Sequence, residues 1–145
     1  MAKLLPNCTI HGFDSFFGLP KEWSGNDQDQ GYFNLNGKPP IVEKNVKLWE
    51  GDFSNSIPKF KSLNSHIQKI DLLIIDCDIY ESTNIVLSEL NELIKTDTVI
   101  VFDEYFGYPN WRNHEYKAFI EFSQDYGKSY EYLFYRTRQV CLRIK

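Results

Sequence analysis

Leu72-Leu73-Ile74-Ile75-Asp76-Cys77-Asp78 is the stretch that decides the fold, because four apolar residues in a row end in two carboxylates. The same design returns at Val99-Ile100-Val101-Phe102-Asp103-Glu104. Short continuous apolar runs are typical of parallel strands that helices bury on both faces. In an open parallel sheet the carboxyl ends of the strands line the ligand crevice. We therefore predict that these four acidic residues meet at one edge of a sheet.

The remaining pattern predicts a single α/β domain over residues 1–145, of the size that encloses one core. Four strands are predicted at Thr9–Phe13, Val46–Trp49, Asp71–Ile75 and Thr98–Phe102. Two helices are predicted at Ser82–Lys95, where Ser82 or Thr83 caps the first turn, and at Glu115–Tyr126. A closing antiparallel hairpin is predicted from Tyr130–Tyr135 and Gln139–Ile144. The order indicates a mostly parallel sheet with an antiparallel end.

Residues 18–44 are rich in Gly, Asn, Asp, Gln and Pro and show little periodic hydrophobicity. This composition predicts a long surface loop. Long loops in compact domains are usually functional or mobile. If this loop is functional, its aromatic residues Trp23, Tyr32 and Phe33 are expected to fold over a ligand. A plain disordered insertion is the alternative.

Bulk composition narrows the classes of partner. The net charge is -4 and the basic residues are scattered, which argues against nucleic acid. No apolar run is long enough to span a bilayer, so no membrane association is expected. The three cysteines show no zinc or redox spacing and fit a cytoplasmic setting.

The acidic edge predicts a divalent metal site. Carboxylates held close together raise each other's pKa, whereas a hard cation such as Mg²⁺ takes oxygen ligands from several of them. The alternative is that some of these acids cap helices, and Asp78 precedes one. Asp14, at the end of the first predicted strand, is either a ribose ligand or an ordinary turn residue. His114 is expected to be a surface or capping residue.

Three ordered motifs closely resemble the macrocin O-methyltransferase family of S-adenosylmethionine-dependent enzymes. They are GFDSFFGLP at Gly12–Pro20, IDCDIYEST at Ile75–Thr83 and VFDEYFGYP at Val101–Pro109. Many members of that family methylate sugar hydroxyls. The resemblance implies a Rossmann-like class I methyltransferase fold, an S-adenosylmethionine cofactor and a small-molecule or glycan acceptor.

The resemblance also implies roles for individual residues. Asp76, Asp103 and Glu104 are expected to be the Mg²⁺ ligands, and Asp78 the general base near the acceptor hydroxyl. Metal coordination and a nearby carboxylate together make a sugar hydroxyl nucleophilic at neutral pH. Asp14 is expected to hold the cofactor ribose.

Three further positions follow from the same resemblance. Asp52 lies where related folds contact the adenine, although the family more often has an aromatic residue there. Tyr108 and Trp111 belong to the expected acceptor loop and are candidates for stacking on a sugar ring.

The chain departs from the family because no glycine-rich turn precedes its first predicted strand. The expectation is a truncated domain that lacks the first strand and helix and half of the cofactor site. The strands that end at Asp14 and Asp76 then either pair directly, or a second copy covers the open edge in a homodimer, which is the preferred expectation.

Two alternatives to an active O-methyltransferase stay open. Asp76-Cys77-Asp78 matches the Asp-x-Asp pattern of metal-dependent glycosyltransferases, although the second acidic pair argues against that class. A non-catalytic remnant of a methyltransferase is the other.

Overall fold

The computed structural model describes residues 1–145 as six strands and three helices. The strands are β1 (Ile10–Asp14), β2 (Val46–Glu50), β3 (Leu72–Ile75), β4 (Val99–Phe102), β5 (Tyr130–Arg136) and β6 (Gln139–Ile144). The helices are α1 (Phe53–Leu63), α2 (Tyr80–Leu90) and α3 (Glu115–Asp125). Single 3-10 turns lie at Asn91–Leu93 and Trp111–Asn113. All six predicted strands and both predicted helices are present within a few residues.

The strands form two separate groups. β1 and β2 pair in parallel, and the second sheet has the order β3-β4-β6-β5. In that sheet β3 and β4 are parallel, whereas β6 is antiparallel to both β4 and β5. This mixed α/β arrangement confirms the predicted fold class. The direct pairing of β1 with β3, one of the two expected outcomes, is not formed.

Helix α1 is the element that the sequence did not predict. Pro58 lies inside it, and a proline removes a backbone hydrogen bond from a helix interior. The helix forms because Ile57 and Phe60 are buried in the main core, where tertiary packing outweighs the weak local propensity. It lies beside α2, and α2 in turn lies beside α3.

Burial of β3 is one-sided, which corrects the prediction that helices cover both faces. Ile75 is buried, whereas Leu72 and Ile74 are 40% and 45% exposed. Successive residues of a strand point to opposite faces, so one whole face of β3 is open. A continuous apolar run records the hydrophobicity of a strand and does not tell how many layers cover it.

The long loop over residues 18–44 has no helix or named strand and nevertheless packs on the domain. Leu19 and Trp23 form a small buried cluster with Ile79 and Tyr108, which follow β3 and β4. Gly25 has a positive φ of 89°, and its Cα approaches the carbonyl of Pro109 so closely that a side chain does not fit. The first part of this loop is therefore fixed against the loops at the acidic edge, and it is not a plain disordered insertion.

No helix of the structure is both long enough and apolar enough to cross a membrane.

Candidate functional site

The four acidic residues meet at the strand ends, as predicted. Ile75 and Phe102 are paired, so Asp76 and Asp103 leave neighbouring parallel strands at the same level. The Asp103 N–H donates to the carbonyl of Ile75 at 3.0 Å and continues the ladder by one bond. Burial, followed by the charges of Asp103 and Asp14, raises the pKa of Asp76. The carboxylate of Asp14, at the end of β1, therefore adds to the negative electrostatic potential at Asp76.

Asp78 occupies a strained turn. The N–H of Ile79 donates to the carbonyl of Cys77 at 2.6 Å across a γ-turn, and Asp78 at its centre has a φ of +64°. Turns of this kind are rare because they force a side chain into the left-handed region. The side chain is only 7% exposed. Burial, followed by the charges of Asp76, Glu104 and Asp103, raises the pKa of Asp78 to about 7.

The capping alternative is not realised at Asp78. Helix α2 begins at Tyr80 with Ile79 in the N-cap position and without a side-chain cap. The predicted caps Ser82 and Thr83 are wrong as well, because both lie inside the helix, where the Thr83 hydroxyl donates to the carbonyl of Ile79 at 3.0 Å. The first turn of α2 starts earlier than the apolar periodicity indicated. Capping of α2 therefore does not explain why an acidic residue occupies position 78.

The second acidic pair has partners on the hairpin between β5 and β6. The Gln139 side-chain amide donates to Asp103, and the Arg138 guanidinium lies 3.4 Å from Glu104. Burial raises the pKa of Glu104, and Arg138 acts in the opposite direction. Arg138 and Gln139 were not identified from the sequence. Their polar character in a tight turn gave no indication that the turn reaches the strand ends.

The expected metal ligands lie at one edge without forming a finished ligand set. No group of three or more His, Cys, Asp or Glu side chains is arranged to hold a metal ion. Two of the three expected ligands, Asp103 and Glu104, are engaged by Gln139 and Arg138. The donor chemistry nevertheless fits a hard cation, because burial, followed by neighbouring carboxylates, raises the pKa of Asp76, and a hard cation takes oxygen ligands from several carboxylates. Metal binding by these residues stays a prediction.

The two expected cofactor ligands lie at the ends of β1 and β2, and both are exposed. One Asp14 oxygen accepts the Phe16 N–H at 2.7 Å, which is the turn contact that the sequence allowed as an alternative. Asp52 takes the N-cap position of α1, and its side chain makes no capping bond. Neither carboxylate is buried within the domain.

The two expected acceptor residues have different environments. Tyr108 is only 5% exposed, with the Trp23 ring at 5.5 Å and the His114 ring at 6.2 Å between centroids. Its hydroxyl donates to the carbonyl of Glu104 at 3.2 Å. Trp111 is partly exposed, and the Arg112 guanidinium lies 4.1 Å above its ring. Tyr108 therefore supports the loop after β4, and Trp111 is the more accessible of the two.

Trp111 also lines an apolar cleft of about 310 Å³. Its eight lining residues are apolar or aromatic and come from the loop after β4, from α3 and from the final hairpin. The hydroxyls of Tyr105 and Tyr132 in its wall bond to each other at 2.8 Å. The cleft begins directly after Glu104 and so adjoins the acidic edge.

His114 is buried, which corrects the expectation of a surface residue. Its Nε2 lies 2.9 Å from the carbonyl of Ser24, so the ring joins the long loop to the start of α3. It occupies the N-cap position without a side-chain capping bond. A histidine next to a predicted helix gave no signal for this contact, since the partner is 90 residues away.

Glu115 was also missed. It is the first residue of α3, is fully buried, and accepts the Glu104 N–H on Oε2 at 3.1 Å. Burial raises its pKa well above the ordinary value, and the charges of Asp78 and Asp76 act in the same direction. Acidic residues are common in the first turn of a helix, so the sequence offered no reason to separate this one from an ordinary surface acid.

Comparison with known families settles the class of the domain. Residues 2–105 match the family described as methyltransferase domain. The chain belongs to the methyltransferase-domain family. The narrower macrocin O-methyltransferase family stays a prediction. No curated protein sequence matches the chain.

Solved methyltransferases have the same fold. The calicheamicin methyltransferase CalS11 matches with a TM-score of 0.70 at 23% identity, over 93% of this chain and 60% of that one. The O-methyltransferase NovP matches with a TM-score of 0.68 at 18% identity, over 98% of this chain and 62% of that one. A second CalS11 structure, described as an apo TDP-rhamnose 3'-O-methyltransferase, gives 0.61 at 23% identity, over 93% and 57%. The chain thus spans about three fifths of the length of these methyltransferases.

Proposed function

We propose that this methyltransferase domain serves S-adenosylmethionine-dependent and Mg²⁺-dependent methylation of a hydroxyl group, on a sugar of a small molecule or glycan. The observation that carries the proposal is Asp78. It is a buried carboxyl on a strained turn, its pKa is raised to about 7, and three other acids lie beside it at the strand ends. Strain and perturbed pKa values of this kind concentrate at functional sites.

Asp78 is the proposed general base. A base is most effective when its pKa lies near the working pH, and a value of about 7 meets that condition. In that role the Asp78 carboxylate would accept the proton of the acceptor hydroxyl, and a bound S-adenosylmethionine would supply the methyl group. The other contribution of the protein is positioning, which holds the two reacting atoms in line.

Asp76, Asp103 and Glu104 are the proposed ligands of Mg²⁺. When bound, the ion lowers the pKa of an acceptor hydroxyl and neutralises the ligand charges. The contacts of Arg138 and Gln139 with this edge show that it already attracts cationic and donor groups.

Asp14 and Asp52 are the proposed cofactor contacts. Both carboxylates are exposed at the ends of strands, and Asp14 uses only one oxygen in its turn contact. An Asp14 carboxylate at the end of β1 suits the hydroxyls of a ribose, and Asp52 is the proposed contact for the adenine.

Trp111, with Tyr108 behind it, is the proposed acceptor surface. Aromatic rings at the edge of a cleft stack on the apolar face of a sugar, and Trp111 is partly exposed at such an edge. One solved neighbour is described as acting on TDP-rhamnose, which supports a sugar acceptor.

Self-association into a homodimer is part of the proposal. The outward edges of β1 and β3 carry no hydrogen-bonded neighbour, and Leu72 and Ile74 of β3 are exposed. Open edges with apolar side chains favour pairing with another chain. We also propose a cytoplasmic setting, where free thiols such as those of the three cysteines persist.

Titration calorimetry with S-adenosylmethionine, with and without Mg²⁺, tests the proposal. Cofactor binding that is lost in Asp14→Ala, together with Mg²⁺ binding that is lost in Asp76→Asn, is the expected result. If cofactor binding is undetectable at millimolar S-adenosylmethionine with Mg²⁺ present, methyl transfer by this 145-residue chain is ruled out. The non-catalytic alternative would then be favoured. Preferential thermal stabilisation by a nucleoside diphosphate and Mn²⁺ would instead favour the glycosyltransferase.

A further inference from the structure

The turn at Asp78 holds a backbone strain that its own residues do not explain. Asp78 has a φ of +64°, and the backbone hydrogen bond across the turn runs from the N–H of Ile79 to the carbonyl of Cys77. A residue other than glycine in the left-handed region costs free energy, and this conformation persists only where the surrounding structure imposes it. The turn therefore needs support from outside its three residues.

Ile79 is the residue of the turn that such a support can reach. Its side chain is 0% exposed. It belongs to the small cluster with Leu19, Trp23 and Tyr108, and it does not belong to the main core. Leu19 and Trp23 come from the long loop over residues 18–44. The burial of Ile79 thus depends largely on a segment that is distant in sequence.

The first part of the long loop is itself fixed, so it can act as a support. The Leu19 N–H donates to the carbonyl of Tyr32 at 3.0 Å, and the Leu19 carbonyl accepts the N–H of Gly31 at 2.8 Å. The carbonyl of Ser24 lies 2.9 Å from Nε2 of the buried His114. These contacts hold the backbone on both sides of the segment that packs on Ile79.

The strand before the turn and the helix after it are the alternative support. The Ile75 carbonyl accepts the N–H of Asp103, and the Ile79 carbonyl accepts the N–H and the hydroxyl of Thr83 in the first turn of α2. These bonds fix the two ends of the segment. They do not act on the peptide groups from Asp76 to Asp78, where the positive φ lies. Packing on the Ile79 side chain is therefore the contact that can decide the conformation of the turn.

We propose that Leu19 and Trp23 are positioning residues, which hold the strained turn at Asp78 by enclosing the side chain of Ile79. Without this packing, Asp78 relaxes to a negative φ, and its carboxyl moves relative to the other acids of the edge. The packing is a property of the fold. Its consequence, that the long loop places the general base, rests on the proposed function.

NMR of matched variants tests the proposal. Leu19→Ala and Trp23→Leu each remove packing from the small cluster. Leu90→Ala is the matched control, because Leu90 is also buried but belongs to the main core. One measurement is the nuclear Overhauser effect between the amide and α protons of Asp78, which is strong at positive φ. The other is amide exchange at Ile79 relative to Asp103, whose N–H continues the strand ladder.

Leu19→Ala and Trp23→Leu are expected to weaken the Overhauser effect at Asp78. They are expected to speed exchange at Ile79 relative to Asp103 by at least about 5-fold, which is the change in population that the lower end of such backbone strain produces. Leu90→Ala is expected to leave both measurements unchanged while it lowers overall stability. Leu19→Met is expected to stay close to the wild type, because it keeps the volume.

A folded Leu19→Ala protein with a strong Overhauser effect at Asp78 and an unchanged exchange ratio would overturn the proposal, since the strand and helix ends would then impose the turn. So would a Leu90→Ala protein that loses the effect to the same extent. If Leu19→Ala does not fold, Leu19→Val replaces it, with a smaller change expected in the same direction. If S-adenosylmethionine does not bind in calorimetry, the proposed function fails, and the NMR measurements still decide the role of the long loop.

Discussion

Replacement of Asp78 by Asn tests whether this buried acid stores free energy in the folded state. The side chain is 7% exposed, and its pKa of about 7 compares with an ordinary value of 3.8. The folded state therefore holds the proton more tightly than the unfolded state does. The stability that this group contributes is complete below about pH 3.8 and is lost as the pH rises towards 7. A difference of this size corresponds to about 4 kcal/mol of unfolding free energy.

Asn cannot ionise, and it tolerates the positive φ of this turn. Asp78→Asn is therefore expected to match the wild type near pH 4 and to become more stable than the wild type as the pH rises. The gain approaches about 4 kcal/mol at pH 8 as an upper bound, because Asp76 and Glu104 adjust their own protonation. Asp97 gives a matched control, since it also has a positive φ, of 67°, and is exposed. Asp97→Asn is expected to change stability by less than about 0.5 kcal/mol at every pH.

The assay is urea denaturation at pH 4, 5, 6, 7 and 8 in a chelating buffer, followed by tryptophan fluorescence. The quantity of interest is the difference in unfolding free energy between Asp78→Asn and the wild type at each pH. A difference that is the same at pH 5 and pH 8 would refute the reasoning, since the Asp78 carboxyl would then titrate alike in both states. A parallel trend in Asp97→Asn would assign the effect to the turn and not to burial.

Three other predictions concern the surroundings of this acid. At pH 8, Mg²⁺ at about 100 times its Kd is expected to raise the unfolding free energy of the wild type by about 2.7 kcal/mol, measured by urea denaturation. The unfolding free energy of Asp76→Asn is expected to change little. Equal increases in both proteins would contradict the assignment of Asp76 as a metal ligand. Gly25→Ala is expected to cost at least about 1 kcal/mol more than Gly31→Ala, because both glycines have a positive φ and only the first meets a backbone carbonyl of the loop after β4. Equal denaturation midpoints would show that the long loop does not pack there. Arg138→Gln is expected to raise the pKa of Glu104, measured by NMR titration, because the guanidinium favours the carboxylate form. It is expected to lower the unfolding free energy by only about 0.5 kcal/mol, since this ion pair is partly exposed. An unchanged pKa would show that Arg138 does not act on the Glu104 carboxyl.

The strands that carry the acids could be predicted because their sequence signal is local. A continuous apolar run followed by carboxylates indicates both the strand and its end, and Asp76 and Asp103 meet as expected. Helix α1 was missed for an equally local reason, because Pro58 argues against a helix and the favourable burial of Ile57 and Phe60 is tertiary. The exposed face of β3 was missed because a strand sequence does not reveal how many layers cover it.

Contacts across long sequence distances could not be predicted. Arg138 and Gln139 reach the acidic edge only because β6 runs antiparallel to β4, which places Val140 opposite Phe102. The same applies to His114 and Ser24, which lie 90 residues apart. The γ-turn at Asp78 is local, yet nothing in Cys77-Asp78-Ile79 demands it, since Asp tolerates many turn conformations.

The structure offers a physical basis for different roles among the four acids. Asp103 and Glu104 have partners on the final hairpin, which satisfy part of their hydrogen-bonding capacity. The influences on the pKa of Asp76 and Asp78 are burial and other carboxylates alone. Asp78 is the more buried of these two, so its affinity for a proton is raised furthest, to a pKa of about 7. A cation shared by the other three acids would lower this value, because a positive charge favours the carboxylate form. Metal binding and proton acceptance at this edge are therefore coupled, and the more tightly the ligands hold a cation, the lower the pH at which Asp78 can act as a base.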